Sequence, residues 1–586
     1  MVVITNNLDV ALRHLRYEDD ARVLWIDALC IDQGLIEEKN RQVAAMGRVY
    51  STAKLMIAWV GPEKDGSTEA VEIIKRVGRY VEIDWSRSKA WSSDDCPMEE
   101  LHWSSVDASI PFEEGELDPV LDLFCRPYFN RAWIRQEVVL AARAILVCGN
   151  DFFDWETFRT VGYLLHSKVY YRTAFTRHTW QDFERIRREI YELCVITAGR
   201  LSYDLLRAYL SSAKCEDPRD KIFSILALLD PKSLEIGIQP DYAQDALTLY
   251  TDVAMRVSME TSSLRLLESC LVSARTLDIP SWVPDWSTPL PSTAPIEMGW
   301  SACSWITSND LEFKRARCHA TGISVQFVRR VVGPFARKGD PYTDTCKILH
   351  GLEDATSGLL PPNTNIRGWI ELFCKSVLFG SFAESYFPPN TTRPTLQEFV
   401  DVIHLIMSKA FIMNASEEAT VIFVTHHISD AWADYPLLVC DYGHVGLSHT
   451  GVQEGDVVSV LVGSNFPVIL RSRPNPDDIQ LWEVVSTAAV SGLMDGEAIY
   501  GNRLPLHWRA VTHFENCGDE RGIVPIDGSR HGFYDMDTDT LKTNPAEILT
   551  EMGIEVERHQ IEPHVLEVRP ETLRAAGVPL REFILV

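Results

Sequence analysis

The sequence predicts an α/β N-terminal domain built on a parallel sheet, then a helical middle region and a β-rich C-terminal module. Three observations carry this prediction. Near the N-terminus, short apolar runs alternate with helical patterns, which is typical of βαβ units. Residues 151–275 mostly show the 3.6-residue period of helices. Between 437 and 500, short alternating runs recur among Gly and Pro turns, and "EGDVVSVLVGSNFPVILRS" predicts a β-hairpin.

The first helices and strands follow from local patterns. Residues 6–16 place leucines at helical spacing, and residues 36–53 predict an amphipathic helix with glutamates in its first turn. Between them, "RVLWIDALCIDQ" (22–33) contains the short apolar run "VLWI", which is followed directly by Asp27. This is the pattern of a buried parallel strand that delivers a polar residue to its carboxyl end. "KLMIAWVG" (54–61) predicts the next strand.

Residues 62–125 interrupt this alternation, and an acidic stretch rich in Ser and Trp predicts an insertion on the surface. A helix over about 131–143 and a strand, "AILVCG", then complete the first domain. The predicted organisation is a first domain at 1–150 with its insertion at about 62–125, a helical region at 151–300, a mixed α/β module with a β-rich end at 301–510, and a C-terminal extension at 511–586.

Composition excludes several classes of protein. The chain has 586 residues, of which 46% are hydrophobic and 24% charged, a balance that suits several globular cores. A formal net charge of −27 repels phosphate backbones, so we expect no nucleic-acid partner. No apolar run is long enough for a membrane span, and the start lacks a secretory leader, so we expect no membrane association. The thirteen cysteines, an odd number without a C-x-x-C pair, favour a reducing compartment, and we expect a cytoplasmic protein.

Familiar catalytic motifs are absent from the sequence. It contains no P-loop, no G-x-G-x-x-G fingerprint and no G-x-S-x-G nucleophile elbow. Its histidines do not have the spacing of metal ligands, so the sequence predicts no metal site.

Asp32 and Gln33 are the first candidate site residues. They follow the predicted strand at 23–26, and ligands of open α/β sheets bind at the carboxyl edge of the strands. The first interpretation is that Asp32 or Gln33 binds substrate. The alternative is that the acidic residues of this stretch cap the next helix or close the turn.

Glu137 is the second candidate, within "YFNRAWIRQEVVLA" (128–141). It lies one helical turn after Trp133, in line with residues that should be buried. A buried carboxylate must be paired, hydrogen-bonded or neutralised. Either Glu137 forms a structural ion pair with Arg131, Arg135 or Arg219, or it lies on the floor of a cleft with Trp133 at the rim, where we expect Trp133 to bind substrate.

Several of these stretches together resemble the fungal heterokaryon incompatibility (HET) domain. They are "LWIDALCIDQ", "RQVAAMGRVYSTAKLMIAWVG" and "YFNRAWIRQEVVLA". Downstream, "DPRDKIFSILAL", "PDYA" and "IPSWVPDWS" resemble the region that follows this domain in its commonest architecture. Members usually begin with a strand motif, Y-x-A-L-S-Y-x-W-G. This sequence has no such motif ahead of residues 6–16, so we expect the first strand to be missing.

The resemblance implies a fold and a chemistry. The HET domain is similar to the TIR domain, a flavodoxin-like signalling fold, and some TIR domains hydrolyse NAD with the glutamate of a W-C-x-x-E helix motif. Trp133 and Glu137 have the same separation here, with Ile134 in place of the Cys. The resemblance therefore implies Glu137 as the catalytic residue, NAD as a substrate and no cofactor. A carboxylate can stabilise the oxocarbenium-like state of this reaction.

For the whole chain, the resemblance implies a role in fungal non-self recognition and programmed cell death, with protein partners or self-association. Two alternatives stay open. One is an NAD-cleaving enzyme that uses Glu137. The other is an inactive, truncated member of the family that acts only by protein–protein interaction.

Overall fold

A computed structural model of the chain contains two compact units, Met1–Leu249 and Tyr250–Val586. The prediction of four regions with other boundaries stays a prediction. The structure describes residues 4–85, 89–105, 111–168, 175–199, 201–210, 212–289, 302–303, 306–308, 310–314, 316–334, 341–356, 366–377, 382–389, 394–408, 421, 424–425, 428, 435–441, 444–476, 479–501, 507–514, 529–542, 546–554, 557–558 and 566–586.

The first unit combines a small sheet with many helices. Its helices are α1 (Asn6–Leu15), α2 (Asp27–Cys30), α3 (Ile36–Thr52), α4 (Ser67–Arg79), α5 (Leu117–Phe124), α6 (Ile134–Leu140), α7 (Trp155–Ser167), α8 (Trp180–Cys194), α9 (Leu206–Leu210), α10 (Asp220–Phe223) and α11 (Pro231–Glu235). Its strands are β1 (Met56–Gly61), β2 (Val81–Asp84), β3 (Lys89–Ser92), β4 (Ala144–Cys148) and β5 (Asp151–Asp154). Short 3-10 turns lie at Leu101–Ser104, Pro127–Asn130, Tyr203–Leu205 and Leu226–Leu228.

The central sheet of the first unit has the order β1-β4-β5. β1 and β4 are parallel, with Met56 opposite Ala144, which confirms both predicted strands. β5 then turns back antiparallel to β4. The turn contains Gly149, whose φ of +57° suits a residue without a Cβ. This sheet is therefore mixed rather than wholly parallel.

The predicted strand at 23–26 is wrong. These residues form no strand, and Val23 is 97% exposed. Among the described residues, β1 pairs only with β4. An apolar run becomes a buried strand only when a neighbouring strand satisfies its backbone N–H and C=O groups, and the described residues offer this run no such neighbour.

Segment 62–125 is only partly a surface insertion. β2 and β3 form a hairpin within it, and Trp91 on β3 is exposed. In contrast, α4 and α5 are largely buried and belong to the main core of the first unit, together with β1, β4 and α7. The surface prediction is wrong for these two helices, because their apolar faces pack inward.

The second unit is rich in strands. Helix α12 (Ala246–Thr261) carries the boundary between the units. It is followed by α13 (Pro341–Thr356), α14 (Ile366–Val377), α15 (Leu396–Ser408), α16 (Glu497–Tyr500), α17 (Ala546–Glu551) and α18 (Pro570–Ala575). The strands are β6 (Glu312–Lys314), β7 (Arg317–Val332), β8 (Tyr386–Phe387), β9 (Leu437–Cys440), β10 (Val445–Ser448), β11 (Val457–Leu461), β12 (Val468–Arg473), β13 (Leu481–Val490), β14 (Trp508–Phe514), β15 (Ser529–Asp535), β16 (Thr540–Lys542), β17 (Glu557–Arg558), β18 (Leu566–Glu567) and β19 (Arg581–Leu585). Further 3-10 turns are Arg265–Ser269, Val272–Ala274 and Ala383–Ser385.

The main sheet of the second unit runs β10-β9-β7-β11-β12-β13-β19, and β6 pairs with β7. It closes on itself, because β10 also pairs with β13 and β19 also pairs with β7. β11 and β12 form the predicted hairpin, with Val457 opposite Leu470. The last strand of the chain is thus part of this sheet. The chain is mixed α/β with a β-rich C-terminal region, as predicted.

Among the described residues, no helix combines the length and apolar character needed to cross a bilayer.

Candidate functional site

Helix α6 carries Glu137 and is held at its start by hydrogen bonds from a buried arginine. Arg135 is 0% exposed, and its guanidinium donates to the carbonyl oxygens of Arg131 and Tyr209 at 3.1–3.2 Å. Burial lowers the pKa of Arg135 to about 10. The backbone of Ala132 donates to Lys214 O at 2.9 Å and ties the segment before α6 to a neighbouring loop. These bonds fix the direction in which the α6 side chains point.

Glu137 is 8% exposed and lies in a cluster of polar side chains. The Tyr128 hydroxyl donates to Glu137 Oε2 at 2.8 Å, and Arg131 Nη1 lies 3.9 Å from Oε1. Tyr50 and Asp27 interact electrostatically with Glu137. We call these five residues the Glu137 cluster. Asp27 opens α2, Tyr50 belongs to α3, and Tyr128 and Arg131 precede α6, so the fold assembles the cluster from three separate parts of the chain.

Burial dominates the electrostatics of the cluster. It raises the pKa of the Glu137 carboxyl, because the charged form loses its hydration. The Arg131 guanidinium and the Tyr128 hydroxyl oppose this rise, whereas Asp27 adds to it. Burial and the nearby Glu137 likewise raise the pKa of Tyr128. A carboxyl with a raised pKa beside a phenol can take up or deliver a proton nearer to neutral pH than an ordinary glutamate.

The structure separates the three arginines proposed as partners of Glu137. Arg131 is the ion-pair partner, although its side chain is half exposed and the distance is long. Arg135 donates to backbone carbonyls. Arg219 forms a two-pronged pair with Asp217, at 2.7 and 2.8 Å, and also donates to the carbonyls of Tyr242 and Gln244. Glu137 is therefore buried and lies near one of the three arginines named in the ion-pair alternative, and its catalytic role stays a prediction.

Trp133 is half-buried at the start of α6, and its indole is engaged away from Glu137. The indole donates a hydrogen bond to the Asp220 carboxylate. The same carboxylate accepts a hydrogen bond from the Tyr242 hydroxyl at 2.5 Å. Burial raises the pKa of Asp220, and these two hydrogen bonds oppose the rise. Asp220 thus anchors Trp133. The substrate-binding role predicted for Trp133 stays a prediction.

Asp32 and Gln33 are exposed in the turn between α2 and α3. Asp32 Oδ1 accepts from Gly34 N at 3.0 Å, and Asp32 N donates to Glu38 Oε1 at 3.2 Å. These contacts match the turn-closing alternative for Asp32. In the same motif, Asp27 is the residue whose charge helps to raise the pKa of Glu137. Substrate binding by Asp32 and Gln33 stays a prediction.

The described residues contain one group with the chemistry of metal ligands, in the second unit. Ligand atoms of His507, Asp535 and Asp537 lie within 4.8 Å of one another. Asp535 Oδ1 accepts from the backbone N–H groups of Asp537 and Thr538, at 3.0 and 3.3 Å. These bonds close the turn between β15 and β16, which accounts for Asp535 without a metal.

Comparison with known proteins places the Glu137 cluster within one family match. The family model described as heterokaryon incompatibility protein (HET) matches residues 1–137, a range that contains all five members of the cluster. We call residues 1–137, the range that this family model matches, the HET domain. A curated relative, heterokaryon incompatibility protein 6, OR allele, from Neurospora crassa, is 26% identical over 363 residues. The alignment covers 53% of this chain and 52% of the relative, so the chain spans about half the length of the relative. No solved structure matches the chain.

Sequence reasoning did not select three of the HET-domain residues that surround Glu137. Tyr128 precedes Glu137 by nine residues, which is not a helical spacing, and a 3-10 turn brings the two together. Tyr50 and Asp27 are remote in sequence, and their proximity depends on how α2 and α3 pack. The one local signal was the presence of Asp27 in the quoted stretch "WIDALCIDQ".

Proposed function

We propose that this chain acts in fungal heterokaryon incompatibility, as an effector that connects non-self recognition to programmed cell death. The observation that carries the proposal is that the matched HET domain contains the complete Glu137 cluster. The name of the Neurospora crassa relative supports the same role. The partner in this role is another protein or a second copy of the chain, and the site of action is the cytoplasm.

The electrostatics of the cluster support a functional rather than a purely structural carboxylate. Desolvating a carboxylate costs several kcal/mol unless partners offset it. Here Tyr128 and Arg131 offset only part of the cost, because the pKa of Glu137 remains raised. Titratable side chains whose pKa is shifted by burial and by specific neighbours are concentrated at functional sites.

Inducible expression of the full chain in a filamentous fungus tests the proposed role. We expect induction to kill hyphal compartments, which is measured as uptake of a membrane-impermeant dye. Glu137→Gln keeps the shape of the side chain and removes its charge, and we expect it to reduce killing. Glu18→Gln makes the same chemical change at an exposed position of the same HET domain, and we expect it to kill like the unmodified chain.

Equal protein levels are checked by immunoblot in each strain. Intact protein that leaves hyphae unstained after induction contradicts a role in cell death. Killing that survives Glu137→Gln favours an effector that acts only through protein–protein interaction.

A second candidate function is hydrolysis of NAD, with Glu137 as the catalytic carboxylate on a TIR-like, flavodoxin-like fold. The spacing of Trp133 and Glu137, the raised pKa of Glu137 and the parallel pairing of β1 with β4 support it. In this mechanism, Glu137 stabilises the oxocarbenium-like ribose while nicotinamide leaves, and water then attacks the same carbon. Tyr128 positions the carboxylate through its 2.8 Å hydrogen bond.

Nicotinamide release from NAD by the purified full chain tests this second function. We expect Glu137→Gln to lower the rate by roughly a hundredfold or more, on the scale of removing one electrostatic group from an active site. Glu18→Gln again serves as the control, and circular dichroism checks the fold of each variant. The NADase proposal fails if the folded, unmodified chain releases no more nicotinamide than buffer does.

A further inference from the structure

Residues 21–26, with the sequence "ARVLWI", lie on the surface of the first unit without belonging to a sheet, and we call them the extended run. Exposure alternates along it, because Ala21, Val23 and Trp25 are exposed and the residue after each of them is half-buried. A period of two residues is that of a β-strand with one covered face. Ile26, the last residue, has the dihedral angles of a strand, with φ of −138° and ψ of 119°. The run therefore has the shape of a strand that lacks a neighbour.

The backbone of the extended run is unpaired. Among the described residues, no backbone N–H or C=O group of Val23, Leu24 or Trp25 forms a hydrogen bond with another part of the chain. Proteins usually protect such a strand from pairing with another chain by placing Lys, Pro or another charged residue on it. Residues 23–26 contain none of these. The run is therefore open to the addition of a further strand.

Exposed apolar side chains are concentrated around the extended run. In the described part of the chain, six of the sixteen large apolar side chains that are exposed lie within residues 17–36, namely Tyr17, Val23, Trp25, Leu29, Leu35 and Ile36. Val23 makes almost no contact with its own chain, since 97% of it is exposed. Apolar side chains gathered on a surface mark an interaction site, and the unpaired backbone makes strand pairing its mode.

The extended run is complementary to itself. When two copies pair antiparallel about a two-fold axis beside Leu24, Val23 of each copy lies opposite Trp25 of the other. The dimer then contains two pairs of a β-branched and an aromatic side chain, a combination that stabilises antiparallel sheets. Arg22 lies opposite Ile26, so no like charges face each other across residues 22–26. Val23 and Trp25 both belong to the exposed face, so these pairs form without disturbing the face that its own chain covers.

We propose that the extended run binds the extended run of a second copy of this chain, antiparallel and centred on Leu24. This inference names the partner that the proposed function leaves open, and to that extent it rests on the proposed function. One short strand from each copy buries less than the about 1,200 Å² of a standard interface, so the dimer is weak and forms at micromolar concentration. Each copy has a formal net charge of −27, and salt screens the repulsion between them.

Sedimentation equilibrium of the purified full chain, from about 1 µM to about 300 µM, tests the proposal over the range of micromolar dissociation constants. We expect the average mass to rise with concentration from that of one chain toward that of two. Because apolar contacts drive the pairing and net charge opposes it, we expect tighter association at about 500 mM NaCl than at about 50 mM NaCl.

Val23→Glu removes the apolar pairing from an exposed position. It places a carboxylate opposite Trp25 of the second copy, and the dimer contains this pair twice. We expect the dissociation constant to rise at least about tenfold. Met98→Glu is the matched control, because it adds the same charge at a side chain of the first unit that is 84% exposed and lies outside the run. It should dimerise like the unmodified chain.

A mixture of two variants tests the register. Val23→Glu and Trp25→Lys each lose both apolar pairs when they dimerise alone. In a dimer of one with the other, the new carboxylate lies opposite the new ammonium group, and one pair of Val23 with Trp25 remains intact. We expect the mixture to associate more tightly than either variant alone. Circular dichroism checks that each variant is folded.

The proposal is overturned if the unmodified chain stays monomeric throughout, if Val23→Glu dimerises as tightly as Met98→Glu, or if the mixture associates no better than its components. A monomeric chain would leave the extended run to a different polypeptide and would refute pairing between copies. The mass is measured on purified protein, so this failure is distinct from a failure of the proposed function. A monomer that kills hyphae refutes the pairing alone, and a dimer that leaves them unstained refutes the role in cell death alone.

Discussion

Two stretches of the first unit have similar compositions and opposite surroundings. Residues 22–33 and residues 128–141 both combine apolar side chains with Trp and an acidic residue. In the first stretch, Val23 is 97% exposed and Asp32 closes an exposed turn. In the second, Glu137 is buried and its pKa is raised. An apolar pattern therefore does not by itself determine burial, because burial also requires neighbours that satisfy the backbone and cover the side chains.

The anchoring of α6 explains this difference. Arg135 connects the helix to two backbone carbonyls, and the loop before it is bonded to Lys214. The segment at 22–26 is attached by the hydrogen bond from Arg22 to Leu15 O and by the edge contact of Trp25 with Tyr50. Substitutions in each stretch measure how much its side chains contribute to the stability of the first unit.

The largest expected effect is that of Arg135→Ala. This change leaves two partly buried carbonyls without their donor and opens a cavity in place of the buried side chain, which together cost roughly 3–5 kcal/mol. We expect a marked drop in the thermal midpoint of the first unit, measured by circular dichroism. Arg48→Ala, at an exposed position of α3, is the matched control and should stay within about 0.5 kcal/mol. Equal midpoints for the two variants would show that Arg135 does not hold α6.

Tyr128→Phe should have the next largest effect. It removes the hydrogen bond to a buried carboxyl and costs about 1–3 kcal/mol. Urea unfolding measures this loss, with Tyr17→Phe as the control, because Tyr17 is exposed. A loss no greater than that of the control would mean that water replaces the Tyr128 hydroxyl.

A smaller effect depends on pH. The pKa of Glu137 is raised in the folded protein, so its contribution to stability is fully present below its unfolded value and is lost as pH rises through the folded value. Glu137→Gln does not ionise. We therefore expect its stability relative to the unmodified chain to increase between pH 4 and pH 8, as measured by urea unfolding at each pH. A relative stability that falls over this range would mean that Arg131 outweighs burial.

The smallest effect belongs to the exposed stretch. Asp32→Asn and Gln33→Ala should each change the free energy of unfolding by no more than about 0.5 kcal/mol, because both side chains are exposed. Calorimetric melting measures the change. A loss of several degrees for either variant would remove the contrast between the two stretches.

Local patterns predicted the elements whose own sequence shows an apolar run, a turn or a helical period. β1, β4 and the β11–β12 hairpin formed where apolar runs and turns indicated, and so did α3. The failures have a shared cause. The run at 23–26 required a neighbouring strand, and the burial of α4 and α5 required the core against which they pack.

By itself, the sequence determined the alternation of helices and strands, the acidic surface and the position of a carboxylate on the buried stripe of α6, because periodicity and composition are local properties. Only the tertiary structure decided what surrounds Glu137. Tyr50 and Asp27 reach it from remote parts of the chain, and Tyr128 reaches it through a 3-10 turn. The pKa of a carboxyl depends on the burial and charges that the fold assembles in space, and sequence spacing does not encode either quantity.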